Sequence, residues 1–165
     1  MPVKGEADYR LEAGEVNSGS LAVVTVVHGL PPRSLGGTEV AALRLAKALA
    51  PQVQTTFFYP GAPGPSGLRR DGLRPIERAE VSTSKAPPKR FADTLRRVDV
   101  EAAFTALLKG GAPGTGRPFD LCHVHHLTHL SLGLIHIAKA QGLPVILTLH
   151  DYWLACARGQ LMDLD

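Results

Sequence analysis

Cysteine, aromatic side chains and long apolar runs are all scarce in this sequence of 165 residues. Its two cysteines, Cys122 and Cys156, cannot build a disulfide framework, which indicates a reducing compartment. No apolar run approaches the ~20 residues that a membrane-spanning helix needs. The polar N-terminal segment has no apolar core, which argues against a secretory signal peptide. We therefore expect a cytoplasmic protein.

A strong excess of charge of either sign is also absent. Lys plus Arg number 18 and Asp plus Glu number 15, so the net charge is only +3. Nucleic-acid binding is not indicated, because stacking aromatic residues are not interleaved with the basic ones. Residues 61–109 are locally basic, with ten Lys or Arg and six Asp or Glu. Their basic face is either a solvated surface or a surface that attracts an anionic membrane or an anionic acceptor.

Two phosphate-binding fingerprints are missing as well. Neither G-x-G-x-x-G nor Gly-Lys-Ser/Thr occurs, which excludes a standard dinucleotide site and a P-loop. Cys156 has no nearby base, which argues against a nucleophilic role. What is present is the step Gly36-Gly37-Thr38 at the start of a predicted helix. Free amides there suit an anion such as a diphosphate, and a tight strand-to-helix turn without a ligand is the alternative.

The order of the predicted elements is typical of an α/β domain. Residues 21–27, LAVVTVV, have no regular polar alternation, which indicates a strand buried on both faces. The sequence predicts further strands at 53–59, 74–80, 119–126 and 144–150, and helices at 37–50, within 89–109 and from about Leu130 to a capping Gly142. This order predicts a doubly wound, mostly parallel Rossmann-like sheet over residues 21–165. A loosely ordered tail is expected at residues 1–20.

Two apolar stripes overlap in the helical segment at 89–109. The first consists of Phe91, Leu95, Val98 and Ala102, and the second of Val100, Phe104 and Leu107. Their offset predicts either two helices or one helix with a break.

The polar loops after three predicted strands indicate a functional site. Ligands of doubly wound sheets bind at the carboxyl ends of the strands, where the strand order reverses. With the strand order 3-2-1-4-5, the segment HGLPPRSLGGTE (the glycine loop, with Gly36 and Gly37), the segment HHLTH and the segment HDYWLACARG meet at that edge. His150 and Asp151 begin the last segment, and Arg158 is a candidate for binding a phosphate or carboxylate.

Histidine is concentrated in the segment HVHHLTH, which holds four of the seven histidines. On a strand, His123 and His125 point to one face and His126 to the other. A metal site is one interpretation, but Leu127 stands where an acidic ligand would be expected. The other interpretation makes His123 a hydrogen-bonded core or near-core residue and places His125, His126 and His129 along a cleft. We expect no bound metal.

Three segments together resemble the family-4 glycosyltransferases. The first is VVTVVHGLPPRSLGGTEVAALRLAKALA, the second is FDLCHVHHLTHLSLGLIHIAKAQGLPVILTLHDYW, and the third is HDYWLACARGQL. The resemblance implies one half of a GT-B fold, in which two Rossmann-like domains face each other across a cleft. It further implies retaining transfer of a sugar from a nucleotide-sugar to an acceptor hydroxyl, of the hexosyltransferase type. The nucleotide-sugar is a co-substrate, and no cofactor or metal is implied.

The resemblance also assigns roles to residues. It implies that His150 lies near the transferred sugar as the catalytic group. Gly36 and Gly37, with Thr38, would lie near the donor diphosphate. His126 and Asp151 would line the side of the acceptor, which is a sugar or a lipid-linked acceptor.

One departure from the family pattern is large. The 165 residues contain no Glu-x7-Glu motif and no donor-binding domain, so we expect a truncated, acceptor-side domain that is inactive alone. A non-catalytic Rossmann-like binding or interaction module is the main alternative. A histidine-rich metal-dependent hydrolase is a further alternative.

Overall fold

A computed structural model of the chain describes residues 20–31, 34–50, 52–61, 68–70, 76–82 and 95–155. Side chains between residues 62 and 94 are not described. The predicted tail before Ser20, most side chains of the basic segment, Cys156 and Arg158 therefore lie outside the described residues. No helix in the described part of the chain is long and apolar enough to cross a membrane.

Strands and helices follow one another in the order that the sequence predicts, with one additional short strand. The elements are β1 (Leu21–Val26), α1 (Gly37–Leu49), β2 (Val53–Gly61), β3 (Leu68–Arg70), β4 (Ile76–Ser82), α2 (Val98–Gly110), β5 (Leu121–Val124), α3 (Gly133–Ala140) and β6 (Val145–Leu147).

These strands form one sheet with the order β3-β4-β2-β1-β5-β6. All neighbours pair in parallel except β3 and β4, which are antiparallel. The five parallel strands, numbered along the chain, have the spatial order 3-2-1-4-5, so the predicted doubly wound topology is confirmed. The strand order reverses at β1, and this places the carboxyl ends of β1 and β5 side by side.

Helices cover both faces of the sheet. α1 packs on one face, where Ala42, Leu43 and Ala46 form a cluster with Phe57 and Tyr59 of β2. α2 and α3 pack on the other face, with a core made by Ala22, Val24, Val26, Phe58, Val100, Phe104, Leu108, Cys122, Val124, Leu134 and Ala138, among others. β1 is buried on both faces, as its uninterrupted apolar sequence predicts.

One prediction about α2 needs correction. The helix begins at Val98, and Leu95 before it is also helical, which agrees with the predicted break in this segment. Residues 89–94 lie outside the described residues. The first apolar stripe is wrong, because Leu95 and Val98 are exposed. The second stripe is the buried one, with Val100 and Phe104 in the core, since only this face meets the sheet.

The late elements are shorter than predicted. β5 ends at Val124, β6 ends at Leu147, and α3 begins at Gly133. The predicted end of α3 is confirmed: Gly142 has a φ of +78°, a left-handed conformation that glycine adopts without strain. Its amide donates to the Lys139 carbonyl, and the next amide donates to the Ala138 carbonyl, which forms a Schellman cap.

Candidate active site at the carboxyl ends of the strands

Side chains from three strand ends meet at the edge that the topology predicts. His28 follows β1, His125 and His126 follow β5, and His150 follows β6. The imidazole of His28 lies 4.4 Å from that of His126, measured between ring centroids. The His125 and His150 ring centroids are 5.1 Å apart. Parallel pairing of β1, β5 and β6 therefore assembles a histidine cluster on one side of the switch point.

Three hydrogen bonds tie the end of β5 to the residues after β6. His123 Nε2 lies 2.8 Å from Thr148 Oγ1, and His125 Nδ1 lies 2.8 Å from His150 Nε2. The third bond joins two further side chains: His126 Nε2 lies 3.2 Å from Asp151 Oδ2. The partners are 25 residues apart in every case. In the parallel register of β5 and β6, each β5 residue pairs with the residue 23 positions later, as Cys122 does with Val145. Each hydrogen-bond partner lies two positions beyond the paired residue, so the register determines which side chains meet.

His125 is the buried member of the cluster, with 4% of its surface exposed. Burial, together with the nearby His123 and His150 imidazoles, lowers the pKa of His125 to about 3. Burial also lowers the pKa of His123, with a further contribution from His150. Both rings are therefore neutral at physiological pH. The prediction that His123 is a hydrogen-bonded, partly buried histidine is confirmed.

His126, Asp151 and Trp153 form the outer wall of the site. The Asp151 carboxylate accepts a hydrogen bond from the Trp153 amide at 2.9 Å as well as contacting His126. Burial acts to raise the pKa of Asp151, but these hydrogen bonds and the neighbouring imidazoles lower it overall. The ring centroids of His126 and Trp153 are 5.2 Å apart. A carboxylate held beside an indole and an imidazole suits hydroxyl-rich ligands, which combine polar edges with flat apolar faces.

Glu39 is a buried carboxylate that the sequence does not single out as a site residue. Only 1% of its surface is exposed, and its Oε1 lies 3.2 Å from His28 Nε2. Ser34 Oγ also donates to Oε1. Burial acts to raise the pKa of Glu39, but the bonds from Ser34 and the backbone, together with His28, lower it overall. Its signal in the sequence is its place three residues after the N-cap Gly36, where a glutamate reaches back to the helix start.

The glycine loop contributes backbone to the site. A Cβ atom at Gly36 would collide with Glu39 Oε2, so a larger residue there would displace the buried carboxylate. At Gly37 a Cβ atom would meet nothing within 4 Å, and the residue is exposed at the first turn of α1. Thr38 is partly buried beside it. The space above Gly37 is therefore open to a ligand, while Glu39 fills the space beside Gly36.

Most of the predicted site residues are brought together at the strand ends. A cleft runs along the carboxyl ends of β5 and β6, and the residues lining it are His125, His126, Leu127, Leu147, Leu149, His150, Asp151, Trp153 and Leu154. Gly36, Gly37 and Thr38 lie at the start of α1, connected to the cluster through Glu39 and His28. Arg158 lies outside the described residues.

The imidazole nitrogens that have side-chain partners contact another imidazole, a hydroxyl group or a carboxylate. Among residues that the structure describes, no group of three or more His, Cys, Asp or Glu side chains could hold a metal ion. Cys122 is buried in the sheet, and burial raises the pKa of its thiol to about 12.

An α/β domain with a polar, histidine-rich site at its switch point is the class that this geometry defines. Residues 36–164 match the family described as the glycosyl transferase 4-like domain. The match includes α1 with its glycine loop, β5, β6 and the cleft between them. The chain belongs to this glycosyl transferase 4-like domain family.

Two further comparisons complete the picture. The crystal structure of α,α-trehalose 6-phosphate synthase from Burkholderia multivorans is similar with a TM-score of 0.44 and 22% sequence identity. The similarity covers 79% of this chain and 33% of that one, so this chain spans about a third of that structure's length. A comparison with curated protein sequences found no match.

Proposed function

We propose that this chain is the acceptor-side, Rossmann-like half of a GT-B glycosyltransferase. The complete enzyme would transfer a hexose from a nucleotide-sugar to an acceptor hydroxyl and retain the anomeric configuration. Family membership supports the transferase class. The observation that carries the proposal is the convergence of His150, the His126–Asp151 pair and the start of α1 on one edge of the sheet.

Each part of this edge suits one part of the reaction. The open backbone at Gly37 lets the donor diphosphate approach the positive end of the α1 dipole. Asp151 carries a lowered pKa and so remains an ionised hydrogen-bond acceptor for the acceptor's hydroxyls. His150 follows β6 on the same edge of the sheet, where a hydrogen-bond donor to the transferred sugar would stabilise developing charge.

The reaction would proceed on one face of the sugar. The bond between the anomeric carbon and the diphosphate oxygen breaks, and the acceptor oxygen forms its bond from the same side. The acceptor's proton passes to the leaving diphosphate oxygen. The nucleotide-sugar is consumed as a co-substrate. A donor-binding domain facing the strand ends would complete the cleft. We also propose that the enzyme works in the cytoplasm.

An interaction module without catalysis is the second candidate, and one observation favours it. The residues along and after β6 expose large apolar side chains, namely Ile146, Leu147, Leu149, Tyr152 and Leu154. Such a surface commonly contacts another protein. Peripheral membrane contact through residues 61–109 stays a prediction, because most of these side chains lie outside the described residues.

A chimaera tests the transferase proposal. Residues 1–165 are joined to the nucleotide-sugar-binding domain of a family member, and release of nucleoside diphosphate is measured with a panel of nucleotide-sugars and acceptors. His150→Ala should lower turnover on the order of 10²-fold, the usual effect of removing one preorganised electrostatic contact. His136→Ala, on the exposed side of α3, is the matched control and should leave turnover unchanged. Equal losses in the two variants, at matched folded fraction, would favour the interaction module.

A further inference from the structure

We infer that His125 is a positioning residue that holds the proton of His150 on Nδ1, so that His150 presents an N–H donor to the cleft and cannot act there as a base. The assignment of a sugar as the group that receives this hydrogen bond rests on the proposed function. The tautomer of His150 does not, because it follows from contacts within the chain.

The geometry of the two rings makes their contact a true in-plane hydrogen bond. Their planes are within 19° of each other, and their centroids are 5.1 Å apart. A 2.8 Å separation between His125 Nδ1 and His150 Nε2 fits two nearly coplanar rings that meet edge to edge. In this arrangement the proton of one nitrogen points at the lone pair of the other.

One of the two nitrogens must therefore carry a proton and the other must not. If both rings were protonated at the contact, two donors would face each other at 2.8 Å. If neither were protonated, two lone pairs would do so. Each neutral imidazole has a single proton, so the choice made by His125 dictates the choice made by His150.

Burial of the far side of His125 decides which nitrogen carries the proton. His125 Nε2 is buried and has no hydrogen-bond partner. Orphaned buried N–H donors are rarer than under-satisfied acceptors, so the favourable neutral tautomer leaves Nε2 bare and places the proton on Nδ1. His125 then donates to His150 Nε2. A doubly protonated His125 is excluded at neutral pH by its lowered pKa.

His150 is left with one arrangement. Its Nε2 accepts from His125, so its proton lies on Nδ1, on a residue that is exposed at the mouth of the cleft. His123 is a further titratable group beside the pair, and its ring centroid is 4.1 Å from that of His125. His123 is occupied by Thr148 Oγ1 and does not compete for His150 Nε2.

Nitrogen NMR of the 165-residue chain tests the inference without any activity assay. The chain is labelled with ¹⁵N at histidine, and two-bond proton–nitrogen correlations are recorded near pH 8, with His150→Gln identifying the His150 signals. We expect a protonated Nδ1 and a bare Nε2 in His150, the reverse of the tautomer that free histidine prefers. An ordinary Nε2–H tautomer in His150 overturns the inference.

Two variants of His125 separate positioning from simple packing. His125→Asn places an amide donor where Nδ1 stood, so His150 should keep the Nδ1–H tautomer. His125→Leu removes the donor, and the Nδ1–H form of His150 should fall from nearly complete to a minority. His123→Asn is the matched control and should leave the tautomer of His150 unchanged. If His125→Leu does not fold, the His150 tautomers measured in the unmodified chain and in His125→Asn still test the inference.

The chimaera distinguishes this inference from the proposed function. His125→Leu should lower kcat at least tenfold with a smaller change in KM, and His125→Asn should restore most of the loss. A chain with the Nδ1–H tautomer but no glycosyl transfer would overturn the proposed function alone. Transfer by a chain whose His150 carries its proton on Nε2 would overturn the inference alone.

Discussion

His125 links the stability of this fold to pH. Its pKa is lowered to about 3 by burial, whereas an unfolded histidine titrates near 6.5. Between these values the unfolded chain binds the proton and the folded chain does not, so the stability contributed by neutral His125 is complete above about pH 6.5 and is lost as pH falls below it. We expect this residue alone to cost about 3 kcal/mol of unfolding free energy by pH 4.

Urea unfolding at a series of pH values measures the effect. His125→Asn should be less stable than the unmodified chain at pH 7.5 but should have a flatter dependence on pH. His136→Gln, which changes an exposed histidine, should reproduce the original profile. Parallel profiles for the unmodified chain and His125→Asn would show that His125 is not held neutral by the fold.

Adjacent glycines at the start of α1 should respond in opposite ways to alanine. Gly36→Ala pushes a methyl group into the buried Glu39 carboxylate and should cost about 2 kcal/mol of unfolding free energy. Gly37→Ala meets open space at a helical position and should raise stability by roughly 0.5 kcal/mol. In the chimaera, Gly37→Ala should nevertheless lower transfer, because the methyl group enters the space assigned to the diphosphate. Full activity of the Gly37→Ala chimaera would contradict the proposal that the diphosphate binds at this position.

The contact between Glu39 and His28 could not be predicted from the sequence. The segment HHLTH and the His150–Asp151 pair are recognisable because they are polar clusters directly after apolar strands. Glu39 looks like an ordinary acidic residue in the first turn of a helix, a favourable place for any carboxylate. Only the packing of α1 against the end of β1 shows that Glu39 is buried and meets His28.

At the scale of elements, hydrogen bonds of the Ser131 hydroxyl connect α2 to α3. Ser131 is fully buried, and its hydroxyl donates to Glu101 Oε1 at 2.6 Å. The same oxygen accepts from the amides of Arg97 and Gly133. One hydroxyl group therefore connects the N-terminal ends of α2 and α3, and this fixes the position of the two helices relative to each other.

Ser131→Ala should therefore lower the free energy of unfolding by about 1–3 kcal/mol, because three buried or half-buried polar groups lose their partner. Thr105→Ala is the control, since Thr105 only bonds the carbonyl of Glu101 within α2 and the change should stay within about 0.5 kcal/mol. Thermal and urea unfolding measure both. Equal effects of the two substitutions would contradict a special role for Ser131.

The accuracy of the predicted elements depends on how completely each is buried. β1 and α1 are predicted closely because uninterrupted β-branched residues and a wide apolar face allow one interpretation. In α2, two apolar stripes compete, and the choice depends on which one the sheet covers. The ends of β5 and β6 are predicted too long, because the apolar residues after them serve the cleft rather than the sheet.

At the scale of the whole molecule, β6 is the edge of the described sheet and pairs only with β5. Ile146 is 49% exposed and Leu149 is 62% exposed along and after it. Edge strands with apolar side chains tend to pair with further chains. We expect the 165-residue chain to self-associate with increasing concentration through this edge.

Sedimentation velocity tests the association. Leu149→Lys should reduce it by introducing a charge at the edge. Val98→Lys is the matched control, because Val98 is 67% exposed and belongs to α2 rather than to the edge strand. A chain that stays monomeric at all concentrations, or an equal response to both substitutions, would contradict the assignment.

The central position of β1 has a consequence for how the chain acquires its structure during synthesis. β2 can pair with β1 early, but the other side of β1 must wait for β5; the Ala22 amide bonds the Asp120 carboxylate across 98 residues. Closing so long a loop is slow, and until then a buried strand has one open side. The nascent chain thus carries a template for intermolecular pairing over most of its elongation, so it should depend on chaperones and low temperature for a good yield.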